Sequence, residues 1–265
     1  MESDRDEMPP SGNERSPFED GELYDALFSE LRYDVEFYLG LARQAPGPVL
    51  EVACGTGRIL VPLLEAGVDA DGLDLYPSML QVLQQKTRDA SRKPNLYLAD
   101  MRSFSLPRRY RWIFIPFNAF LHNLTIEDQL STLRTCRAHL VGGGVLVMEI
   151  FFPGLEVIAG PEGIPVLEHE VRDESSGRQV LIFDTRRLSR VEQVQQSEIE
   201  IQELDAESRL VASHRSRTEI RWIYRWEAEL LFRAAGFSRW EIHGGFDGRP
   251  LTRETETMVC YGFRD

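Results

Sequence analysis

The sequence lacks the features that would mark a membrane-spanning or secreted protein. It contains no apolar run of about 18 residues or more, and no charged-then-apolar leader opens the chain. Its three cysteines, Cys54, Cys136 and Cys260, have no paired spacing, which favours free thiols in a reducing compartment. We therefore expect a cytoplasmic protein that works away from membranes.

Metal-ligand patterns and positive charge are also scarce. The five histidines share no metal-ligand spacing with the cysteines, so no metal is expected. Lys and Arg number 30 against 43 Asp and Glu, which gives a formal net charge of -13 at pH 7. Because so acidic a surface repels phosphate backbones, nucleic acid is not expected as a partner.

Part of the acidic excess lies in residues 1–20, which are rich in Asp, Glu, Ser and Pro. Such a composition buries too little apolar surface to fold, so a flexible acidic arm is expected. The whole chain, with 265 residues and 42% hydrophobic composition, is long enough for one large α/β domain with a sizeable insertion.

The most informative segment is residues 48–57, Pro-Val-Leu-Glu-Val-Ala-Cys-Gly-Thr-Gly. An apolar strand runs into Gly55 and Gly57, and a helical pattern follows. Glycines directly after a strand let the backbone turn tightly and approach a ligand, and the next helix offers unpaired N–H groups. A dinucleotide fingerprint would have a third glycine where this chain has Leu60. Glu51 is unusual because it places a carboxylate inside an apolar strand.

Strands and helices alternate through the first 152 residues. Apolar strands are expected at residues 49–53, 68–73, 96–99, 112–117 and 145–151. Helical patterns separate them, and helical character is expected from about Leu23 to about Ala42, before the first strand. This alternation predicts an α/β fold with a mostly parallel, doubly wound sheet.

After Pro153 the apolar residues recur at period two, which indicates antiparallel strands. Four such segments are residues 166–171, 180–188, 191–204 and 210–224. Hairpin turns are expected between them at residues 175–177 and 205–208. We therefore expect an antiparallel β insertion at 153–224, within a domain built from residues 21–152 and 225–265.

Residues 48–57 resemble motif I of class I S-adenosylmethionine-dependent methyltransferases, in which a hydrophobic pair, an acidic residue and a Gly-x-Gly turn follow one another. Residues 140–145, 224–237 and 244–250 resemble later segments of that family, so the resemblance covers roughly residues 20 to 263. The insertion is typical of its small-molecule N-methyltransferase branch, which includes amino-sugar and glycine-type enzymes. The resemblance implies a Rossmann-like seven-stranded sheet, with the insertion covering the acceptor pocket.

The resemblance also implies a binding site for S-adenosylmethionine. Asp74, which ends the second strand, stands where a carboxylate accepts the ribose hydroxyls. Asp100, after the third strand, stands where a carboxylate accepts the adenine amino group. The other candidate cofactor-binding residues are Glu51, Ala53, Gly55, Thr56, Gly57, Leu75, Met79, Met101, Phe117, Arg32 and Tyr33. Within this set, Leu75, Met79 and Met101 are expected to enclose the adenine ring.

His122 lies on the segment expected to face the reaction. A neutral imidazole there would accept a proton from an amine or hydroxyl, although a purely structural role stays open. Tyr24 and Tyr224 complete the candidate catalytic residues, because the family's first helix and insertion cover the acceptor. Arg221 is expected in the same pocket.

The expected activity is methyl transfer to a small-molecule acceptor, with an amine preferred over a hydroxyl. An amine needs only to be neutral when it attacks, whereas a hydroxyl needs a stronger base. A monomer and a homodimer are both compatible with the sequence. Two alternatives stay open: a non-catalytic cofactor-binding sensor, and an NAD-dependent oxidoreductase, against which Leu60 and Glu51 argue.

Overall fold

The computed structural model describes residues 18–29, 31–172, 179–252 and 255–265. Most of the expected acidic arm, and the hairpin turn expected at 175–177, lie outside the described residues. Within them, the chain forms a seven-stranded sheet and a four-stranded sheet.

The strands are β1 (Val49–Val52), β2 (Ala70–Asp74), β3 (Leu96–Leu98), β4 (Tyr110–Ile115), β5 (Leu140–Phe151), β6 (Pro165–Arg172), β7 (Gln179–Ser189), β8 (Val194–Leu204), β9 (Leu210–Arg221), β10 (Arg239–His243) and β11 (Thr257–Phe263). The helices are α1 (Gly21–Phe28), α2 (Val35–Gln44), α3 (Leu60–Glu65), α4 (Pro77–Lys86), α5 (Ile126–His139), α6 (Leu155–Ile158) and α7 (Arg225–Ala235). A 3₁₀ turn (Ala119–His122) precedes α5.

The larger sheet has the order β10-β11-β5-β4-β1-β2-β3. Strands β1 to β5 are parallel, and β11 is antiparallel to both of its neighbours. The chain builds outward from β1 to β3 on one side and from β4 to β5 on the other. Ligands of doubly wound sheets bind at the carboxyl ends of the strands where the order reverses, here between β1 and β4. The predicted Rossmann-like fold is confirmed.

The larger sheet is buried on both faces, which accounts for its continuous apolar strands. On one face, Ile113 of β4 shares a core cluster with residues of α5 and α7. On the other face, Phe114 shares a second cluster with residues of α2 and α3. The two layers of helices therefore meet at the carboxyl ends of β1 and β4.

The four antiparallel strands predicted within the insertion are confirmed, in the order β6-β7-β8-β9. Ile182 of β7 and Ile201 of β8 form a small buried cluster with Leu27 of α1. Because directly paired residues of antiparallel strands share a face, the pairing defines one side of this sheet. We call the side that carries Ile182 and Ile201 the inner face.

The helical character predicted from Leu23 to Ala42 is not continuous, because α1 ends at Phe28 and α2 begins at Val35. The reason is a long-range contact: the Arg58 guanidinium donates to the carbonyl of Leu31 and to the carboxylate of Asp34. These bonds stabilise a non-helical conformation of the connecting residues. No helix in the described part of the chain is long and apolar enough to cross a membrane.

Candidate functional site

Backbone strain concentrates where the sheet order reverses. Ala53, just after β1, has a φ of 58°, and Phe117 and Asn118, after β4, have φ of 53° and 61°. Non-glycine residues seldom adopt this left-handed conformation, and such strain is found preferentially at functional sites. The turn after β4 is held by β5, since the Phe117 N–H donates to the Glu149 carboxylate at 2.6 Å.

The two motif glycines serve different purposes. Gly55 has a φ of 52°, and a Cβ placed on it would lie 3.6 Å from the ring of Tyr24. Tyr24 of α1 therefore covers the open side of this turn. A Cβ on Gly57 would collide with Leu83 of α4, so that glycine is required by packing within the protein.

Asp74 fastens the glycine turn to the end of β2. Its carboxylate accepts the N–H of Gly55 at 2.8 Å and the N–H of Tyr76 at 2.9 Å. Burial raises the pKa of Asp74 above its ordinary value, and these N–H groups oppose that shift. Each carboxylate oxygen has two lone pairs, so capacity for further donors is left. Its ribose role stays a prediction.

Asp100 lies two residues past β3, at the same sheet edge. It accepts from the backbone N–H of Arg102 at 2.8 Å and from Nε of Arg102 at 2.9 Å. The adjacent guanidinium lowers the pKa of Asp100. Because β1, β2 and β3 are neighbours, Glu51, Asp74 and Asp100 lie on three adjoining strand ends, but the adenine role of Asp100 stays a prediction.

The three residues expected around the adenine ring differ in accessibility. Leu75 is 54% exposed, whereas Met79 is only 2% exposed. Met101 is half-buried, and its sulfur accepts a hydrogen bond from Asn123. Leu75 is thus the most accessible of the three to a ligand.

The side chain of Thr56, another cofactor-binding candidate, is engaged in a hydrogen bond within the protein. Its hydroxyl donates to Asp25 of α1 at 2.7 Å, and Asp25 also forms an ion pair with Lys86 of α4. The side chain therefore ties the glycine turn to α1. A backbone contribution of Thr56 to cofactor binding stays a prediction.

A buried acidic cluster surrounds the strained turns. Its members are Asp34, Glu51, Asp74 and Glu149. Arg58 forms a two-pronged ion pair with Asp34, with Nη2 to Oδ2 at 2.8 Å, and its guanidinium lies 4.9 Å from the ring centre of Phe117. With one guanidinium among four carboxyl groups, the acidic cluster favours a positively charged ligand.

Two members of the acidic cluster, Glu149 and Glu51, have carboxyl groups with raised pKa values. Burial raises the pKa of Glu149 to about 7 and raises that of Glu51 well above its ordinary value. Among the described residues, Oε2 of Glu51 is buried without any hydrogen-bond partner. An unpartnered buried carboxyl oxygen is costly unless a donor arrives. This oxygen is a ready acceptor for a ligand.

Sequence reasoning missed Arg58, Asp34 and Glu149 as site residues. Arg58 and Asp34 are 24 positions apart, and nothing local announces their pairing. Glu149 did carry a signal, because it interrupts the apolar run of β5 as Glu51 interrupts that of β1.

Two catalytic candidates, Tyr24 and His122, both contact the ring of Phe18. The ring centre of Phe18 lies 5.9 Å from that of Tyr24 and 5.3 Å from that of His122. Burial and nearby carboxylates raise the pKa of Tyr24, so its phenol stays protonated. Tyr24 is linked to the Phe117 turn, because Phe28, which contacts Tyr24, also contacts Phe117.

The tautomer of His122 follows from its contact with β9. Its Nδ1 lies 3.0 Å from the carbonyl oxygen of Glu219. Since a carbonyl only accepts, Nδ1 carries the proton in this bond and Nε2 of the neutral ring is left as an acceptor. Desolvation of the imidazole ring lowers the pKa of His122 below its ordinary value of 6.5, so the ring is neutral at pH 7.

The remaining candidates are more dispersed. The Tyr224 ring contacts Phe152, beyond the end of β5, with 5.9 Å between ring centres. Arg221 is engaged in an ion pair with Glu227 at 2.7 Å. The structure thus shows no contact of Arg221 or Tyr224 with His122 among the described residues.

Arg32 and Tyr33 both lie on the loop between α1 and α2. Arg32 is exposed there. The Arg58 guanidinium lies 5.6 Å from the ring centre of Tyr33, and burial together with the neighbouring Glu149 raises the pKa of the Tyr33 phenol. Tyr33 therefore belongs to the surroundings of the acidic cluster, and its cofactor role stays a prediction, as does that of Arg32.

Known proteins resemble this chain in sequence and in fold. Residues 49–144 match a family model described as a methyltransferase domain. The chain is 30% identical to dTDP-3-amino-3,6-dideoxy-alpha-D-glucopyranose N,N-dimethyltransferase from Streptomyces fradiae, over 77% of this chain and 74% of that relative. The CcbJ methyltransferase from Streptomyces caelestis superimposes with a TM-score of 0.78 at 21% identity, over 94% of this chain and 99% of that one. The S-adenosylmethionine-bound CalS10, an amino pentose methyltransferase from Micromonospora echinaspora, has a TM-score of 0.65 at 25% identity, over 88% and 89% of the two chains.

Proposed function

The chain belongs to the class I S-adenosylmethionine-dependent methyltransferases, and from this premise we propose that it methylates the amine nitrogen of a small-molecule acceptor. The observation that carries the proposal is the neutral His122 in contact with Phe18, with Nε2 left as a proton acceptor. The printed name of the Streptomyces fradiae relative, an amino-sugar N,N-dimethyltransferase, supports an amine.

The residues at the sheet edge fit S-adenosylmethionine. Among the described residues, Glu51 offers a buried carboxyl oxygen without a partner, and the strained glycine turn at Gly55 lies under the Tyr24 ring. Asp74 keeps acceptor capacity for ribose hydroxyls. We assign the cationic part of the cofactor to the side of the acidic cluster that carries Glu51. When bound, the cofactor supplies a methyl group already activated on a positively charged sulfur.

The chain's own residues then have two tasks. Tyr24, Phe18 and Phe28 form an aromatic wall that excludes water from the Phe117 turn. His122 accepts, at Nε2, the proton that the acceptor nitrogen must lose. The aromatic wall holds the acceptor in line with the methyl group, and this orientation raises the rate of transfer.

An amine fits this site better than a hydroxyl does. Protonated amines release a proton readily enough for a neutral imidazole to take it, whereas an alcohol is a far weaker acid. The pKa of His122 is lowered, which makes the ring a weaker base still. A hydroxyl acceptor would therefore react slowly here.

The test pairs two acceptors that differ at one atom. The purified chain is incubated with S-adenosylmethionine and either dTDP-3-amino-3,6-dideoxy-α-D-glucopyranose or the matching sugar nucleotide with a hydroxyl at carbon 3. Mass spectrometry measures methylated product, and a coupled assay measures the demethylated cofactor. We expect one or two methyl groups on the amino sugar and none on its hydroxyl counterpart.

Methylation of the hydroxyl compound alone would overturn the preference for an amine. Tight binding of S-adenosylmethionine without turnover of either compound, or of a wider amine panel, would favour a cofactor-binding sensor.

A further inference from the structure

The inner face of the insertion changes character along its length. At one end, Ile182 and Ile201 pack on Leu27 of α1. At the other end, Ile220 of β9 packs against the core cluster that contains Phe120, from the 3₁₀ turn. Between these two apolar contacts the inner face becomes polar. The polar stretch therefore lies between the contact of the insertion with α1 and its contact with the core cluster that contains Phe120.

Directly paired residues show which side chains share this stretch. Asp184 pairs with Ile199, and Ile199 pairs with Ser216, so these three lie side by side on the inner face. Ser197 pairs with Arg186 on the same face. The polar stretch thus crosses β7, β8 and β9.

A hydrogen-bond network fixes one edge of the Asp184 carboxylate. Its Oδ2 accepts from Nε of Arg186 at 2.6 Å and from the hydroxyl of Ser197 at 3.2 Å. Ser197 in turn accepts from Gln195 at 3.0 Å. The orientation of Asp184 is therefore set by neighbours that use only Oδ2.

Two polar atoms of this stretch are left without partners. Asp184 is 5% exposed and Ser216 is 7% exposed. Oδ1 of Asp184 and Oγ of Ser216 have no hydrogen-bond partner within the described ranges. Burying such groups unpaired costs stability, so their presence on this buried face indicates a purpose other than folding.

We propose that Asp184 and Ser216 form a specificity subsite that binds hydroxyl groups of a polyhydroxylated, amine-bearing acceptor. Oδ1 of Asp184 accepts a hydrogen bond from one acceptor hydroxyl, and the Ser216 hydroxyl bonds a second. The subsite lies on the insertion, away from the cofactor, so it fixes which amine reaches His122. This inference rests on the proposed N-methylation of a small acceptor.

The test compares three variants by two measurements. Asp184→Asn keeps an acceptor for Arg186 and Ser197 but presents an N–H₂ where Oδ1 was. Ser216→Ala removes the second group. Ser213→Ala is the matched control, because Ser213 lies on the opposite face of β9, is exposed and bonds to Glu200.

The first measurement is calorimetric binding of dTDP-3-amino-3,6-dideoxy-α-D-glucopyranose in saturating S-adenosylhomocysteine, with KM measured where turnover occurs. We expect the dissociation constant and KM to rise roughly tenfold for Asp184→Asn and roughly threefold for Ser216→Ala, since bonds to charged groups are the stronger. Ser213→Ala and the affinity for the cofactor should be unchanged.

The second measurement is thermal unfolding without ligand. Ser216→Ala should raise the melting temperature, because it removes an unpaired buried hydroxyl. A lower melting temperature would show that the hydroxyl has a structural partner and would overturn the inference.

The outcomes separate the two proposals. Wild-type methylation with the same KM in all three variants overturns the subsite and leaves N-methylation standing. Binding that is lost in Asp184→Asn and Ser216→Ala, but without turnover in any protein, supports the subsite and counts against N-methylation. A wild-type chain that neither binds nor methylates the sugar nucleotide overturns both for this acceptor class.

Discussion

The amide of Phe117 donates a 2.6 Å hydrogen bond to the side chain of Glu149, so a strained turn at the centre of the site is held by a group that titrates. The bond is strongest when the carboxyl group is ionised, because charged acceptors bond more strongly than neutral ones. Burial opposes that ionisation and raises the pKa of Glu149 to about 7. The site and the stability of the fold are therefore linked to pH through this residue.

Replacing Glu149 by Gln should flatten the dependence of stability on pH. In the unfolded chain the carboxyl ionises near pH 4.5, whereas in the folded chain it ionises near pH 7. The folded state thus holds a proton that the unfolded state has lost, and wild-type stability falls as pH rises through this window. The loss is on the order of 3 kcal/mol. Urea unfolding at pH 5 and pH 8 measures it.

The matched control for this prediction is Glu36→Gln, because Glu36 is 84% exposed. That variant should keep the wild-type slope. Equal slopes in the wild-type protein and in Glu149→Gln would show that Glu149 ionises normally.

Asp34→Ala should destabilise the fold strongly. It leaves the buried Arg58 guanidinium without its ion-pair partner, and breaking a buried pair in this way costs about 3–5 kcal/mol. Chemical denaturation measures the free energy of unfolding. Glu36→Ala is the control, since its pair with Arg43 is exposed and worth less than about 1 kcal/mol. Similar losses in both variants would contradict the prediction.

Asp74→Ala should weaken binding of S-adenosylmethionine by about 1–3 kcal/mol, the usual cost of unmatched hydrogen-bonding groups. The variant removes the ribose acceptor and frees the N–H of Gly55. Isothermal titration calorimetry measures the affinity. Asp69→Ala tests specificity, because Asp69 precedes β2 at the opposite sheet edge and pairs with Arg108. Unchanged affinity in Asp74→Ala would remove the ribose role.

His122→Gln should lower kcat and leave the cofactor dissociation constant unchanged. In the wild-type protein, kcat should rise with pH as His122 loses its proton, with a midpoint below 6.5 because the pKa is lowered. The variant should lose this rise. His243→Gln, on β10, should behave as the wild type. A normal pH profile in His122→Gln would exclude proton transfer by this residue.

The sequence allowed the scaffold to be predicted because its signals are local. The Gly-x-Gly turn, the apolar runs and the period-two segments each depend on a few neighbouring residues. The break in the helix at residues 31–34 could not be predicted in this way, because it depends on Arg58, which lies 24 positions beyond Asp34. Local helical periodicity therefore predicted continuous helical character where tertiary contacts separate two helices.

The candidate site was predicted only in part, for a similar reason. Glu51 and Asp74 follow recognisable positions beside the glycine turn. The commitment of Thr56 to Asp25, and the collision that Gly57 avoids with Leu83, depend on packing against α1 and α4. Glu149 resembles Glu51 as a carboxylate within an apolar strand, but it follows no glycine turn, and so its signal was not used.

Strand β11 inserts between β5 and β10 and pairs with β5 from Thr257 to Phe263. It is also the last of the seven strands to leave the ribosome. Until β11 is made, the edge of β5 that it will cover stays unpaired, and the sheet that bears the glycine turn is incomplete. A nascent chain therefore presents this strand edge to strand-swapping or chaperone capture from the synthesis of β5 until β11 pairs with it.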